Sequence, residues 1–93
     1  LFGLSAVLAE EITLKSGAVV QQNFHEYPLL RLSEAPAVEV EFITSTAPPG
    51  GLGEPGTPPI AAALVNAVFA ATGMRVRALP LAASAATLSA KSS

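Results

Sequence analysis

The sequence contains no cysteine and only one histidine, so it can form neither a disulfide nor a thiolate metal site. A cysteine nucleophile is excluded for the same reason. Basic residues are few: five Lys and Arg stand against seven Asp and Glu, and the net charge is −2. This composition excludes the basic surface that a nucleic-acid-binding protein needs. We also expect no metal ligand from this chain, because one histidine cannot build a metal site unaided.

Long hydrophobic runs are also missing. The longest apolar stretch, Ile60 to Val65, is far shorter than the roughly 20 residues that span a bilayer as a helix, so we expect no transmembrane span. The N-terminus begins Leu1-Phe2-Gly3-Leu4, without Met and without a basic leader, and does not resemble a signal peptide. We expect the chain to come from within a longer protein. Localisation is left open.

Charged residues make up only 13% of the 93 residues, whereas a soluble domain has about a quarter. Hydrophobic residues make up 51%. A chain of this length buries only a modest core by itself, so we expect other protein to cover much of its surface. We predict one domain-forming part, residues 1–81, and an Ala/Ser-rich, disordered tail, residues 82–93.

The apolar periodicity predicts an α+β arrangement. Residues 2–9 have helical spacing and are expected to be the last turns of a helix. Residues 11–21 alternate around a Ser-Gly pair, which predicts a β-hairpin. Residues 22–36 have no clean period and predict an irregular, packed connection. Residues 37–44 alternate Val and Phe with Glu, which predicts a further strand.

A final helix is predicted from Pro58 to Thr72. Thr57 is expected to cap it, Pro58 suits its first position, and Gly73 is expected to end it. The helix is apolar nearly all round, which is typical of a buried helix. This chain has too few other elements to cover it, so the burial must come from missing protein or from a partner. The segment 74–81 is expected to form a short strand or closing segment.

The segment from Ala47 to Pro59 contains five prolines and four glycines in thirteen residues. This density excludes regular structure and fixes an unusual backbone path. Within it, Pro55 biases Glu54 toward an extended conformation just before a helix N-terminus. A positioned carboxylate beside a cofactor is what general-base chemistry requires. The alternative is a tight loop with a solvent-facing or capping glutamate, and the loop pattern by itself leaves both open.

The glycine spacing of this loop fits neither of the common phosphate-binding patterns. No Gly-Lys-Ser/Thr follows the glycines, and the three-glycine spacing of dinucleotide-binding folds is not met.

Other polar residues have simpler structural explanations. His25 beside Glu26 suggests a proton relay, but a lone histidine in a polar loop is more often structural. Packing or a surface ion pair accounts for Tyr27 and Arg31 as well as substrate contact does. The acidic positions 39 and 41 recur at strand period and are expected to form a solvated face rather than a catalytic pair.

Three sequence stretches resemble the closing segment of the xanthine dehydrogenase and aldehyde oxidase family. They are Gly-Leu-Gly-Glu-Pro-Gly-Thr-Pro-Pro-Ile at 51–60, Asn-Ala-Val-Phe-Ala-Ala-Thr-Gly at 66–73 and Arg-Ala-Leu-Pro-Leu at 77–81. Within the family, the chain resembles in particular the bacterial isoquinoline 1-oxidoreductase β-subunit type. The stretch Gln-Asn-Phe-His-Glu-Tyr-Pro-Leu-Leu-Arg at 22–31 also resembles that type. The likeness extends from about Leu4 to Leu81.

The resemblance implies a C-terminal segment of a molybdopterin-binding large subunit. It implies that Glu54 is the catalytic base beside molybdenum and that Gly53 and Gly51 lie against the cofactor, a molybdenum–pterin group in a dinucleotide form. It further implies oxidation of N-heterocycles or aldehydes with water-derived oxygen and electron transfer to an iron–sulfur partner. Most of the cofactor-holding residues of the family have no counterpart here, so we expect the isolated chain to be inactive.

Two other hypotheses remain open. The chain could be a non-catalytic interaction module that docks through its apolar helix, with Glu54 incidental. Alternatively, it could be a truncated remnant without activity. The first predicts a stable complex that tolerates Glu54→Gln, whereas the oxidoreductase hypothesis predicts that the gene neighbourhood or the full reading frame encodes the rest of the subunit.

Overall fold

The computed structural model describes residues 1–84. Two helices, α1 (Phe2–Leu8) and α2 (Thr57–Thr72), flank a small antiparallel hairpin, β1 (Leu14–Lys15) and β2 (Ala18–Val19). Two short 3₁₀ turns, Phe24–Glu26 and Leu32–Glu34, lie within the connection that was predicted to be irregular. The remaining backbone between the second turn and α2 has no regular structure.

The hairpin lies within the predicted range. Leu14 pairs with Val19 and Lys15 with Ala18. Between them, Ser16 and Gly17 have φ values of 51° and 77°, and two positive φ values in succession are typical of a type I′ turn. The side chains of Thr13 and Gln21 close the open end: the Thr13 N–H donates to Gln21 Oε1 at 2.8 Å, and Gln21 Nε2 donates to Thr13 Oγ1 at 2.9 Å.

Helix α2 begins at Thr57 and not after it. Gly56 is at the N-cap position, and Thr57 makes no capping hydrogen bond. The prediction that Thr57 caps the helix is therefore wrong: the Thr57 N–H donates to the Glu54 carbonyl at 2.9 Å, so the preceding turn runs directly into the helix. The other end is as predicted. Gly73 adopts a left-handed conformation with φ 72°, and its N–H donates to the Phe69 carbonyl at 2.8 Å.

Arg75 covers the C-terminal part of α2. Its guanidinium carbon lies 3.6 Å from the centroid of the Phe69 ring, a cation–π contact, and Nη1 donates to Asn66 Oδ1 at 3.5 Å. The segment predicted to be a strand or closing segment, 74–81, forms no strand. It does contribute Val76, which is only 8% exposed, to the small core.

Helices α1 and α2 pack against each other at Gly3. A Cβ atom at this position would lie 2.8 Å from Ile60 Cγ2 and 3.2 Å from Thr57 Cα, closer than real contacts allow. The missing side chain therefore lets the two helices approach. The buried residues of α1 are Gly3, Ser5 and Val7. Gly3 and Val7 lie on one face of the helix, and Ser5 lies on the opposite side, where its Oγ accepts from the Leu30 N–H.

The predicted burial of α2 is not achieved within this chain. None of its residues is buried, and Phe69 is 38% exposed. Only the face that includes Ile60, Leu64 and Val68 is half-buried. The physical reason is that α1 is two turns long and covers one side of a helix of 16 residues. Burial of the other sides by further protein stays a prediction.

The strand predicted at 37–44 is also not formed. The hairpin is the one sheet among residues 1–84, and it offers no partner to this segment. Val38, Val40 and Phe42 are 62%, 67% and 90% exposed, so the alternating pattern lies unpacked. A strand needs a neighbouring backbone to satisfy its N–H and C=O groups, and the local sequence pattern cannot supply one.

The chain exposes far more surface than a compact domain of its size. Its accessible surface is 7863 Å², whereas a folded monomer of 9.4 kDa is expected to expose about 5000 Å². Its radius of gyration is 16.7 Å, compared with about 12 Å for a compact chain of this length. The chain by itself therefore has no sizeable core, as its composition predicts.

The predicted tail begins inside a helical turn formed by residues 81–84. The Ser84 N–H donates to the Pro80 carbonyl at 3.3 Å, and Ser84 Oγ donates to the Ala78 carbonyl at 2.5 Å. Residues 82–84 of the predicted tail belong to this turn. The rest of the predicted tail lies outside the described residues.

Candidate active-site loop

The loop that contains Glu54 ends in a turn at the start of α2. The Thr57 N–H donates to the Glu54 carbonyl at 2.9 Å, which fixes the backbone of the glutamate. Its side chain is exposed and makes no hydrogen bond or ion pair among the described residues. The sequence predicts a glutamate that is held in place. The structure holds its backbone and leaves its carboxylate free to accept a proton or a hydrogen bond from another group.

The glycines of this loop are not required by anything within residues 1–84. A Cβ atom at Gly51 or Gly53 would meet no atom within 4 Å, and neither residue has a positive φ. The same is true of Gly50 and Gly56. A Cβ atom would therefore fit at each of these positions within residues 1–84. The absence of side chains leaves the backbone open to close approach by a group from outside it.

The loop fits a contributing role in a cofactor site and not a complete one. It offers one carboxylate and the N–H groups of Gly51 and Gly53, none of which has a partner within residues 1–84. Across the described part of the chain, no group of three or more His, Asp or Glu side chains is placed to hold a metal ion. Gly51, Gly53 and Glu54 lie within four consecutive residues of this loop.

A second polar cluster joins the irregular connection to α1. The Tyr27 hydroxyl donates to Glu10 Oε2 at 2.8 Å, and the Leu30 N–H donates to Ser5 Oγ at 2.8 Å. These two contacts hold residues 27–30 beside a mainly apolar groove of about 550 Å³. Sequence reasoning missed both contacts, because the partners are 17 and 25 residues apart and no local pattern links them.

The hydrogen bond to Glu10 raises the pKa of Tyr27 above its ordinary 10.0. Desolvation by burial and charge repulsion from the Glu10 carboxylate raise this pKa further. The contact therefore stabilises the fold below pH 10.0 and is lost as the pH rises through the raised pKa. Tyr27 is the only tyrosine and tryptophan is absent, so tyrosinate absorbance reports this residue alone. We expect Glu10→Gln to lower the titration midpoint toward 10.0.

Glu11→Gln is the matched control for this titration and is expected to leave the midpoint unchanged. A midpoint that stays the same in Glu10→Gln would show that the hydrogen bond is not formed in solution.

The other polar residues singled out in the sequence have structural contacts or exposed positions. Glu26 does not form a relay with His25. Its carboxylate accepts from the N–H groups of Gln22 at 2.8 Å and Asn23 at 3.0 Å, which caps the first 3₁₀ turn. Arg31 is exposed and lines the groove beside Tyr27.

Within residues 1–84, no helix combines the length and hydropathy needed to cross a bilayer.

Sequence comparison finds relatives that match most of this chain. It is 43% identical over 81 residues to a protein of Gluconacetobacter polyoxogenes named membrane-bound aldehyde dehydrogenase [pyrroloquinoline-quinone], covering 87% of this chain and 10% of that protein. It is 35% identical over 79 residues to isoquinoline 1-oxidoreductase subunit beta of Brevundimonas diminuta, covering 85% and 10%. It is 36% identical over 86 residues to the putative xanthine dehydrogenase molybdenum-binding subunit of Escherichia coli K12, covering 85% and 11%.

The chain thus spans about a tenth of the length of the relatives it matches. The resemblance to the isoquinoline 1-oxidoreductase type is confirmed, although the identity to the aldehyde dehydrogenase is higher. No family model matches the chain, and no solved structure matches it. Over about 85% of its length, the chain belongs to the molybdenum-binding subunits of the xanthine dehydrogenase and aldehyde oxidase family.

Proposed function

We propose that this chain forms part of the active site of a molybdenum hydroxylase and contributes Glu54 as the base. One observation carries the proposal: a free carboxylate lies at the end of a glycine loop whose glycines nothing within residues 1–84 requires. The relatives are molybdenum-binding subunits, so we propose a molybdenum cofactor as the group that approaches this loop. When bound, the molybdenum–pterin cofactor, in a dinucleotide form, supplies the redox centre.

The residues of this chain have separate roles in the proposed site. The backbone of Gly51 and Gly53 lies against the cofactor and donates hydrogen bonds that a bulkier residue would block. The Glu54 carboxylate accepts a proton from the reacting group and returns it to solvent when the product leaves. The turn to Thr57 keeps the glutamate backbone in place while its side chain moves.

The substrate class is proposed from the relatives. One relative is named an aldehyde dehydrogenase and another an isoquinoline 1-oxidoreductase subunit. We therefore propose oxidation of aldehydes or N-heterocycles with oxygen from water. Electrons then pass to an iron–sulfur partner. Two of these relatives are named as subunits of larger enzymes. We therefore propose that the rest of the molybdenum-binding subunit is the direct partner of this chain.

The test is reconstitution. This chain is combined with the rest of the subunit, and molybdenum content is measured together with dye reduction driven by an aldehyde or by an N-heterocycle. We expect the assembled subunit to contain molybdenum and to reduce the dye, and the subunit without this segment to be inactive. Pyrroloquinoline quinone is measured in the same samples, because one relative is named after this cofactor. Quinone without molybdenum, or turnover that does not need this segment, would reject the proposal.

A further inference from the structure

The segment 37–44 combines three features that residues in a loop rarely share. It alternates apolar and acidic residues, its apolar side chains are exposed, and its backbone is unpaired. Phe42 and Ile43 are 90% and 93% exposed. None of the N–H or C=O groups of residues 37–44 forms a hydrogen bond within the described part of the chain.

Such a segment is costly to leave in water. Val, Ile, Phe and Thr are residue types that favour strands, and five of the eight residues here are of these types. Unpaired backbone and exposed apolar side chains are both satisfied when a strand joins a neighbouring sheet. No other element among residues 1–84 offers a free edge of this length, since each strand of the hairpin has two residues.

We propose that residues 37–44 form a strand that pairs with a strand in the rest of the molybdenum-binding subunit. Val38, Val40 and Phe42 then face the core of that subunit, and Glu39 and Glu41 lie on the opposite face. The inference rests on the proposed function only in the identity of the partner. The chain spans about a tenth of its relatives, so the rest of such a subunit is long enough to provide both the strand and the core.

The two glutamates argue against a second copy of this chain as the partner. Antiparallel pairing centred on Val40 would place Glu39 of one copy directly opposite Glu41 of the other, and like charges in opposed positions are destabilising. The acidic face instead favours a strand whose opposed side chains are neutral or basic.

The test is hydrogen exchange of residues 37–44 in the complete subunit and in the isolated chain. We expect fast exchange in the isolated chain and exchange slower by on the order of 100-fold in the complete subunit. Fast exchange of this segment in the complete subunit would overturn the proposal. Slow exchange in the isolated chain, together with dimer formation, would also overturn it, because the partner would then be a second copy.

Substitutions separate backbone pairing from loss of a side chain. Successive N–H groups of a strand point to opposite edges, so Val40→Pro and Glu41→Pro between them remove a donor from either edge. We expect at least one of these variants to weaken assembly with the rest of the subunit on the order of tenfold. The controls Val40→Ile and Glu41→Gln keep the N–H and are expected to assemble normally.

Equal assembly of all four variants would contradict strand pairing. Exchange and assembly do not depend on turnover. A protected segment in a subunit without molybdenum would therefore support the pairing while rejecting the proposed function.

Discussion

Replacing Glu54 by Gln in the assembled subunit is expected to lower turnover by about 10²- to 10⁴-fold, the usual contribution of a positioned general base. The amide has nearly the same size and polarity but cannot accept the proton. Binding of the cofactor should be unaffected, because the carboxylate makes no contact within residues 1–84 on which the loop depends. The measurements are the steady-state rate of substrate-dependent dye reduction and the molybdenum content of the same preparation.

Two further variants sharpen this result. Glu11→Gln removes another exposed carboxylate of this chain and is expected to leave turnover unchanged. Glu54→Asp keeps the carboxylate but moves it back by one methylene, so we expect a smaller loss than in Glu54→Gln. Full activity in Glu54→Gln, with normal molybdenum content, would rule out the base and favour the interaction module that docks through its apolar helix.

Adding a side chain at Gly53 is expected to have the second-largest effect. In this chain, the Cβ atom added by Gly53→Val would meet no atom within 4 Å, and the substitution requires no change in the sign of φ. The helix content of the isolated chain should therefore stay the same. In the assembled subunit, the new side chain would occupy the space into which the cofactor is proposed to come. A displacement of about 1 Å at a reacting centre lowers turnover by about 10²-fold, so we expect a loss of that size or loss of the cofactor.

The control for Gly53→Val is Leu52→Val, a change in the same loop at a side chain that is 91% exposed. Circular dichroism of the isolated chain and molybdenum content of the assembled subunit are measured for both variants. If Gly53→Val keeps its cofactor and its turnover, the glycine does not lie against the molybdenum centre. If the variant already alters the isolated chain, the open space around Gly53 is not its state in solution.

The locally determined parts of the fold could be predicted from sequence. The turn at Ser16 and Gly17 depends on two successive positive φ values, and the end of α2 depends on the left-handed conformation of Gly73; glycine adopts positive φ readily. The start of α2 was misjudged by one residue, because the turn from Glu54 runs into the helix without a side-chain cap. Helix boundaries of this kind depend on the backbone before the helix as much as on the capping residue.

Contacts between distant residues could not be predicted in the same way. Nothing in the periodicity of α1 indicates that Ser5 will receive the Leu30 N–H or that Glu10 will receive the Tyr27 hydroxyl. Gly3 reads as an unfavourable residue in a helix until the neighbouring helix is in place. Glycine fits at this position because a Cβ atom would lie only 2.8 Å from Ile60 Cγ2.

The sequence by itself determined the hairpin turn, the existence and end of α2, the glycine loop with Glu54, and the family. These follow from local backbone preferences and from motifs that are contiguous in the chain. Only the tertiary structure decided that α2 stays exposed, that residues 37–44 remain unpaired and that the Glu54 carboxylate is free. The physical reason is that burial and strand pairing depend on what lies next to a segment in space, and residues 1–84 do not supply enough neighbours.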